Sequence, residues 1–193
     1  MHEQRQIKVW DPLVRIGHWL LAASFLVAFV TEDDLLALHS LAGYLTLAVI
    51  AIRIPWGLFG TRYARFASFV HRPATVIAYL KEVLAFRPRR HLGHNPAGGA
   101  MIVLMLITVA LVGVSGVAAL ALEEHAGPLA AYAAGGVPLW LRATAAIHEG
   151  LANFALLLVA LHLVGVAVAS LQHRENLVRS MITGRKEVRG EHA

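Results

Sequence analysis

Apolar residues dominate four long stretches of the chain. Residues 16–31 and 99–122 carry no charged side chain, residues 35–60 carry only Arg53, and residues 143–172 carry only Glu149. A helix needs about 20 apolar residues to cross a hydrocarbon core, and each stretch reaches or approaches that length. The pattern predicts helices over about 14–31, 35–59, 98–122 and 143–172. The first begins so early that "RQIKVWDPLVR" resembles the charged region of a signal peptide. No small-residue cleavage site follows, because "FVTEDDLLALHS" runs straight into the next apolar segment, so the segment reads as a retained first helix. Between the second and third helices, "RPATVIAYLKEVLAFRP" has Pro73 in a first-turn position and Pro88 as a stop. Val76, Leu80, Val83 and Leu84 fall on one face at helical spacing. That face suits either a short amphipathic helix at the membrane surface or a cap over the helix ends. Residues 123–142, rich in Ala, Gly and Pro, read as an irregular loop. No repeat or second domain interrupts residues 1–193, so the expected fold is a single all-α domain, an integral membrane antiparallel four-helix bundle with a short interfacial amphipathic helix.

Composition agrees: 58% of residues are hydrophobic and 15% charged, against about 25% charged in a soluble domain. Charge placement then supplies an orientation. Sixteen of the seventeen Lys and Arg flank the same ends of the helices: Arg5, Lys8 and Arg15 before the first, eight from Arg53 to Arg90 between the second and third, and five from Arg174 to Arg189 after the fourth. Only Arg142 lies opposite, where "TEDD" at 31–34, Glu123, Glu124 and Glu149 collect. Basic flanks stay cytoplasmic, so both termini are expected there with four crossings between. The net charge of +5 answers to this topology and to anionic lipid headgroups, and calls for no nucleic acid.

Of eleven histidines, His2, His71, His91, His94, His125, His173 and His192 fall in loops, tails or interfacial positions, where solvated histidine is the default. His18, His39, His148 and His162 fall inside the apolar stretches, where a polar group is expensive and points to function. His148 and His162 are fourteen residues apart, which is about 21 Å along a helix and a rotation of roughly 40°, so they face one side at two depths. With alternating helix directions, His39 comes level with His148 on the outer side and His18 with His162 on the inner side. Zinc needs three or four protein ligands per site, and neither level supplies a third. Haem iron takes two axial ligands across a flat macrocycle, which facing helices can provide. Two bis-histidine haems b are expected, His39/His148 outside and His18/His162 inside. The absence of cysteine removes c-type attachment and conventional iron–sulfur clusters. With both axial positions filled by protein, electron transfer is the expected task. Gly43, four residues after His39, and Gly165, three after His162, leave room for a porphyrin edge or simply pack helices closely. Arg53 and Arg15 suit haem propionates at the inner site, or snorkel to headgroups.

The stretches "VWDPLVRIGHW", "LHSLAGY", "RIPWGLFGTRYARFASFV", "GHNPAGG", "HEGLANFALLLVALHLVG" and "HRENLVRSMITGRK" follow one another along nearly the whole chain. In that order they resemble the bacterial, nickel-hydrogenase type cytochrome b561 family of four-helix di-haem subunits. The resemblance implies a bacterial inner-membrane protein passing electrons between a redox partner at the outer face and the quinone pool. It also implies that the two histidines of the last helix serve different haems. A quinone near the inner haem would place its headgroup by His162 and "GHNP", which makes His94, Asn95 and Gly98 candidates; Asn95 and Pro96 equally suit a helix start. No catalytic domain accompanies the spans, so the chain reads as an electron-carrying subunit rather than a stand-alone enzyme. The partner would be a cytochrome c, a hydrogenase or a reductase subunit. Some relatives resemble quinone-linked superoxide oxidases; here the acidic outer loops oppose an anionic substrate, with Arg142 the exception. A transporter with histidine relays would show repeats or broken helices, and none is evident.

Overall fold

The computed structural model describes residues 6–32, 34–133 and 143–187. Arg5, Asp33, Arg142 and Arg189 of the charge pattern, and His2 and His192, lie outside the described residues. The elements in chain order are β1 (Gln6–Lys8), α1 (Pro12–Thr31), α2 (Leu36–Phe59), a 3-10 turn (Phe66–Ser68), α3 (Pro73–Leu84), α4 (Pro96–Glu123), α5 (Ala130–Ala133), α6 (Thr144–His173), α7 (Leu177–Thr183) and β2 (Arg185–Glu187). The helices α1, α2, α4 and α6 are each long and apolar enough to span a membrane. Most of their surface is left uncovered by protein, including Leu26, Val30, Ile52, Val114 and Leu163, as suits lipid-facing helices whose backbone groups are satisfied internally.

Local chemistry explains where the helices begin. The Asp11 carboxylate accepts the Val14 N–H at 3.0 Å just before Pro12, and Asn95 Oδ1 accepts the Gly98 N–H at 2.7 Å just before Pro96. Both are N-caps followed by proline at the first helical position, where a missing N–H is harmless. At α7, Asn176 Oδ1 accepts the Arg179 N–H at 2.7 Å, and Gly184 closes the helix at φ 79°, a left-handed conformation that favours glycine.

The chain divides into two compact units. The first comprises residues 1–18, 53–103 and 161–193, and so takes the N-terminal ends of α1 and α4 and the C-terminal ends of α2 and α6. Its buried residues include Val9, Trp10, Val14, Ala64, Phe69 and Tyr79. Here β1 and β2 pair antiparallel, Ile7 opposite Lys186. This two-stranded ribbon of the chain ends is a small addition to the expected all-helical class, formed because both flanks are extended polar segments brought side by side. α3 covers its Val76, Tyr79 and Val83 side, with the Val83 carbonyl accepting from Gln172 Nε2 at 3.0 Å. Ile77, Leu80 and Leu84 remain exposed. The expected single face of Val76, Leu80, Val83 and Leu84 is therefore split: Tyr79 joins the protein-facing side, while Leu80 and Leu84 turn outward, because the apolar arc is wider than one contact can cover.

The second unit comprises residues 19–52 and 104–160. Ile50, Val109 and Ala155 form its buried centre, with Leu21, Phe25, Leu106, Ala110 and Val112 packed against them. Ser24 and Thr46 share a buried hydrogen bond at 2.8 Å that ties α1 to α2. Every described Lys and Arg belongs to the first unit, whereas Glu32, Asp34, Glu123, Glu124 and Glu149 are exposed on the second.

Candidate functional site

In the first unit, His18 lies two turns into α1 and His162 lies on the C-terminal half of α6. Their ring centroids are 6.4 Å apart with planes at 53°. The start of α1, and with it the depth of His18, is held by Asp11. Besides capping, this buried carboxylate accepts from Thr61 Oγ1 at 2.6 Å and from Trp56 Nε1 at 3.1 Å. Burial alone would push the Asp11 carboxyl up, but the bonds from Thr61, Val14, Trp56 and Leu13 together hold it below the usual carboxylate value.

His94 is not a solvated surface residue. Its ring packs 4.4 Å from that of Trp10 and 4.8 Å from that of Phe69, and its Nδ1 is sealed without a hydrogen-bond partner. Burial, followed by the positive charges of Lys186 and Arg53 and by His162 and His18, lowers its pKa to about 3, so the ring is neutral. Asn95 spends its carbonyl oxygen on the cap of α4, with the Gly98 N–H as donor. Arg53 donates through Nη2 to the Ala64 carbonyl at 3.0 Å and lies over the Phe66 ring, while its Nη1 is buried without a partner. Arg15 donates through Nη2 to the Ile182 carbonyl, and its Nε is likewise sealed. Lys186, buried in β2, pairs with Glu175 at 3.6 Å, and Arg90 approaches the same carboxylate at 3.7 Å.

In the second unit, His39 in the first turn of α2 and His148 in the second turn of α6 stand 5.9 Å apart between ring centroids, with planes at 81°. His39 Nδ1 lies 2.8 Å from the Ala28 carbonyl, and His148 Nδ1 lies 2.9 Å from the Val112 carbonyl. A carbonyl oxygen only accepts, so each Nδ1 is the donor and each Nε2 is the ring nitrogen not used in that bond. That is the tautomer and orienting contact expected of a metal-ligating histidine. A Cβ at Gly43 would meet nothing within 4 Å, and the same holds at Gly165 in the first unit. Both glycines therefore border open space.

The four intramembrane histidines thus come together as two pairs, His18/His162 and His39/His148. Among the described residues, no group of three or more His, Cys, Asp or Glu side chains is placed to hold a bare metal ion. Trp10, Phe69, Lys186 and Ser115, which surround these histidines or His94, carry no local sequence signal, because each reaches its histidine from a remote segment.

Four apolar spans with paired intramembrane imidazoles define a helical, multi-pass membrane protein with the ligand chemistry of a cytochrome b. The chain belongs to the prokaryotic cytochrome b561 family, whose model matches residues 9–184. The family binds haem b and transfers electrons across a membrane, and that is the activity of this chain. No curated protein and no solved structure matches it.

Proposed function

We propose that this single domain holds two haems b, one between His18 and His162 and one between His39 and His148, and links the quinone pool to a redox partner on the opposite side of the bacterial inner membrane. The observation that carries the reading is the spacing of the two imidazole pairs. A metal–imidazole bond of about 2 Å, with roughly 1 Å more from ring nitrogen to ring centre, sets trans-ligating ring centres about 6 Å apart. The observed 6.4 Å and 5.9 Å fit that requirement at both pairs. Two ligands suffice where a macrocycle supplies the rest of the coordination sphere, which agrees with the lack of a third donor among the described residues. When bound, haem b would supply a one-electron couple, and His18, His162, His39 and His148 are the residues that would hold it.

The concentration of described Lys and Arg in the first unit supports a cytoplasmic location for that unit and for both termini. His148 and His162 sit on one continuous helix fourteen residues apart, about 21 Å by helical rise, too far apart to serve one haem. Gly43 and Gly165 leave space for a porphyrin edge beside each pair. The sealed Nη1 of Arg53 and Nε of Arg15 are donors suited to propionates at the His18/His162 site. His94, neutral and held between Trp10 and Phe69, is the hydrogen-bonding residue for a quinone headgroup, and Asn95 shapes that segment through its cap on the Gly98 N–H. The exposed acids of the second unit suit a basic redox protein, such as a cytochrome c or a hydrogenase or reductase subunit, and repel a superoxide anion.

The test is purification from a haem-replete host with pyridine-haemochrome quantitation and quinol reduction. Two haems b per chain are expected. Replacement of His18 or His162 by Ala removes one of them, and replacement of His39 or His148 removes the other. Excess short-chain quinol reduces the oxidised protein, more slowly in H94A. A colourless preparation, or loss of the same haem from all four variants, overturns the reading.

A further inference from the structure

α4 provides no ligand in the proposed sites, yet one of its turns meets the His148 ring on two sides. The Val112 carbonyl accepts from His148 Nδ1 at 2.9 Å, and Ser115 Oγ donates to that same carbonyl at 3.0 Å while lying 3.3 Å from Nδ1. One residue further along, a Cβ at Gly116 would fall 2.8 Å from His148 Cε1 and 3.1 Å from Nδ1. Any side chain at 116 would therefore push the ring out of its place. The hydrogen bond grips one edge of the imidazole, and the bare glycine lets the ring lie against the helix, so rotation about Cβ–Cγ is fixed. The resulting plane stands 81° from that of His39.

We infer that the Val112–Gly116 turn of α4 sets the plane and the basicity of the His148 ligand, with Ser115 and Gly116 as positioning residues that act through His148 on the electronic state of its haem. The inference rests on the assignment of His39 and His148 as axial ligands. Each imidazole donates π density along the normal to its own ring. Two nearly perpendicular rings would therefore address two different iron d orbitals to the same extent, which would leave those orbitals close in energy and a ferric ion strongly anisotropic. Basicity enters through the shared carbonyl. The Ser115 hydroxyl draws density from the Val112 oxygen, and without it that oxygen accepts more strongly from Nδ1–H, makes the imidazole a stronger donor and favours ferric over ferrous iron.

Electron paramagnetic resonance of the oxidised, haem-loaded protein, with an optical redox titration, tests this. In the unaltered protein the signal lost in H39A is a single low-field line of large anisotropy. Gly116→Ala moves that line toward a resolved rhombic spectrum and leaves the other haem's signal unchanged. Ser115→Ala lowers the midpoint potential of the same haem alone, and Ser115→Thr, which keeps the hydroxyl, restores it. Should Gly116→Ala release the haem, the Ser115 pair decides. Two bound haems with unchanged spectra in Gly116→Ala and an unchanged midpoint in Ser115→Ala overturn the positioning role. An unaltered protein that loses no haem on His39→Ala instead overturns the ligand assignment beneath it.

Discussion

Replacement of Asp11 by Ala removes one carboxylate and, among the bonds it accepts, those from Val14, Thr61 and Trp56, and the structure sets the size of the loss. The N-cap bond to the Val14 N–H is worth about 1 kcal/mol. The bonds from Thr61 Oγ1 and Trp56 Nε1 reach an ionised acceptor, a class worth about 1.5–3 kcal/mol each. Both donors are left inside a half-buried junction, where an unsatisfied group adds its own penalty. The three share one acceptor and are not additive, so the expected destabilisation is about 3–5 kcal/mol. Asp11→Asn keeps the shape and an oxygen for the cap and loses less. His18 lies seven residues beyond Asp11 on the same helix, so the damage falls first on the His18/His162 pair. The assay is thermal denaturation in detergent with the Soret absorbance as readout, alongside haem content per chain. The expected order of stability is wild type, D11N, D11A, with D11A losing haem from the His18 site first. Because the Asp11 pKa is depressed, its contribution is complete above the unfolded value of about 3.9 and disappears as pH falls through the folded value. D11A melting within about 0.5 kcal/mol of the unaltered protein would refute the argument.

Three further outcomes follow from the same unit. Glu175→Gln leaves Lys186 buried with its carboxylate partner gone and is expected to destabilise by about 3 kcal/mol or more, measured by the same melts; a neutral effect would show the cluster to be hydrated. The His94 pKa is lowered to about 3, so the unfolded chain binds the proton more readily; stability should therefore fall as pH drops below about 6.5, by up to about 1.4 kcal/mol per pH unit. His94→Gln should flatten that slope relative to the unaltered protein, and parallel pH profiles would contradict it. Since the chain has no cysteine, a single Leu84→Cys can carry a fluorophore; acyl-chain nitroxide lipids should quench it strongly if the exposed side of α3 rests in the bilayer, and weak quenching would place that side in water.

Hydropathy located the four spans to within two residues at each end, because lipid leaves little choice to a long uncharged run. The small errors occur where a polar cap precedes the apolar run: Asp11 and Asn95 open α1 and α4 earlier than composition suggests. Pairing of the histidines was legible because helical rise and alternating direction assign a depth to each. Contacts that depend on distant segments were not. His94 has Gly93, Asn95 and Pro96 as neighbours and reads as a surface loop, while the residues that cover it, Trp10 and Phe69, lie far away in sequence. The turn of α4 that seats His148 is invisible for the same reason, since Ser115 and Gly116 look like ordinary small packing residues. The exposed Leu80 and Leu84 show the limit of periodicity, which finds an apolar arc without saying how much of it protein will cover.

The ribbon between Gln6–Lys8 and Arg185–Glu187 ties the order of assembly to the order of synthesis. Every segment of the second unit has been synthesised once residue 160 is added, whereas the ribbon of the first unit waits for β2. The His39/His148 pair is thus complete before the His18/His162 pair, which waits for His162. A nascent chain arrested before β2 therefore has all four histidines but no clasp on the end of α1. The seat of His18 is therefore the last part of the first unit to be closed.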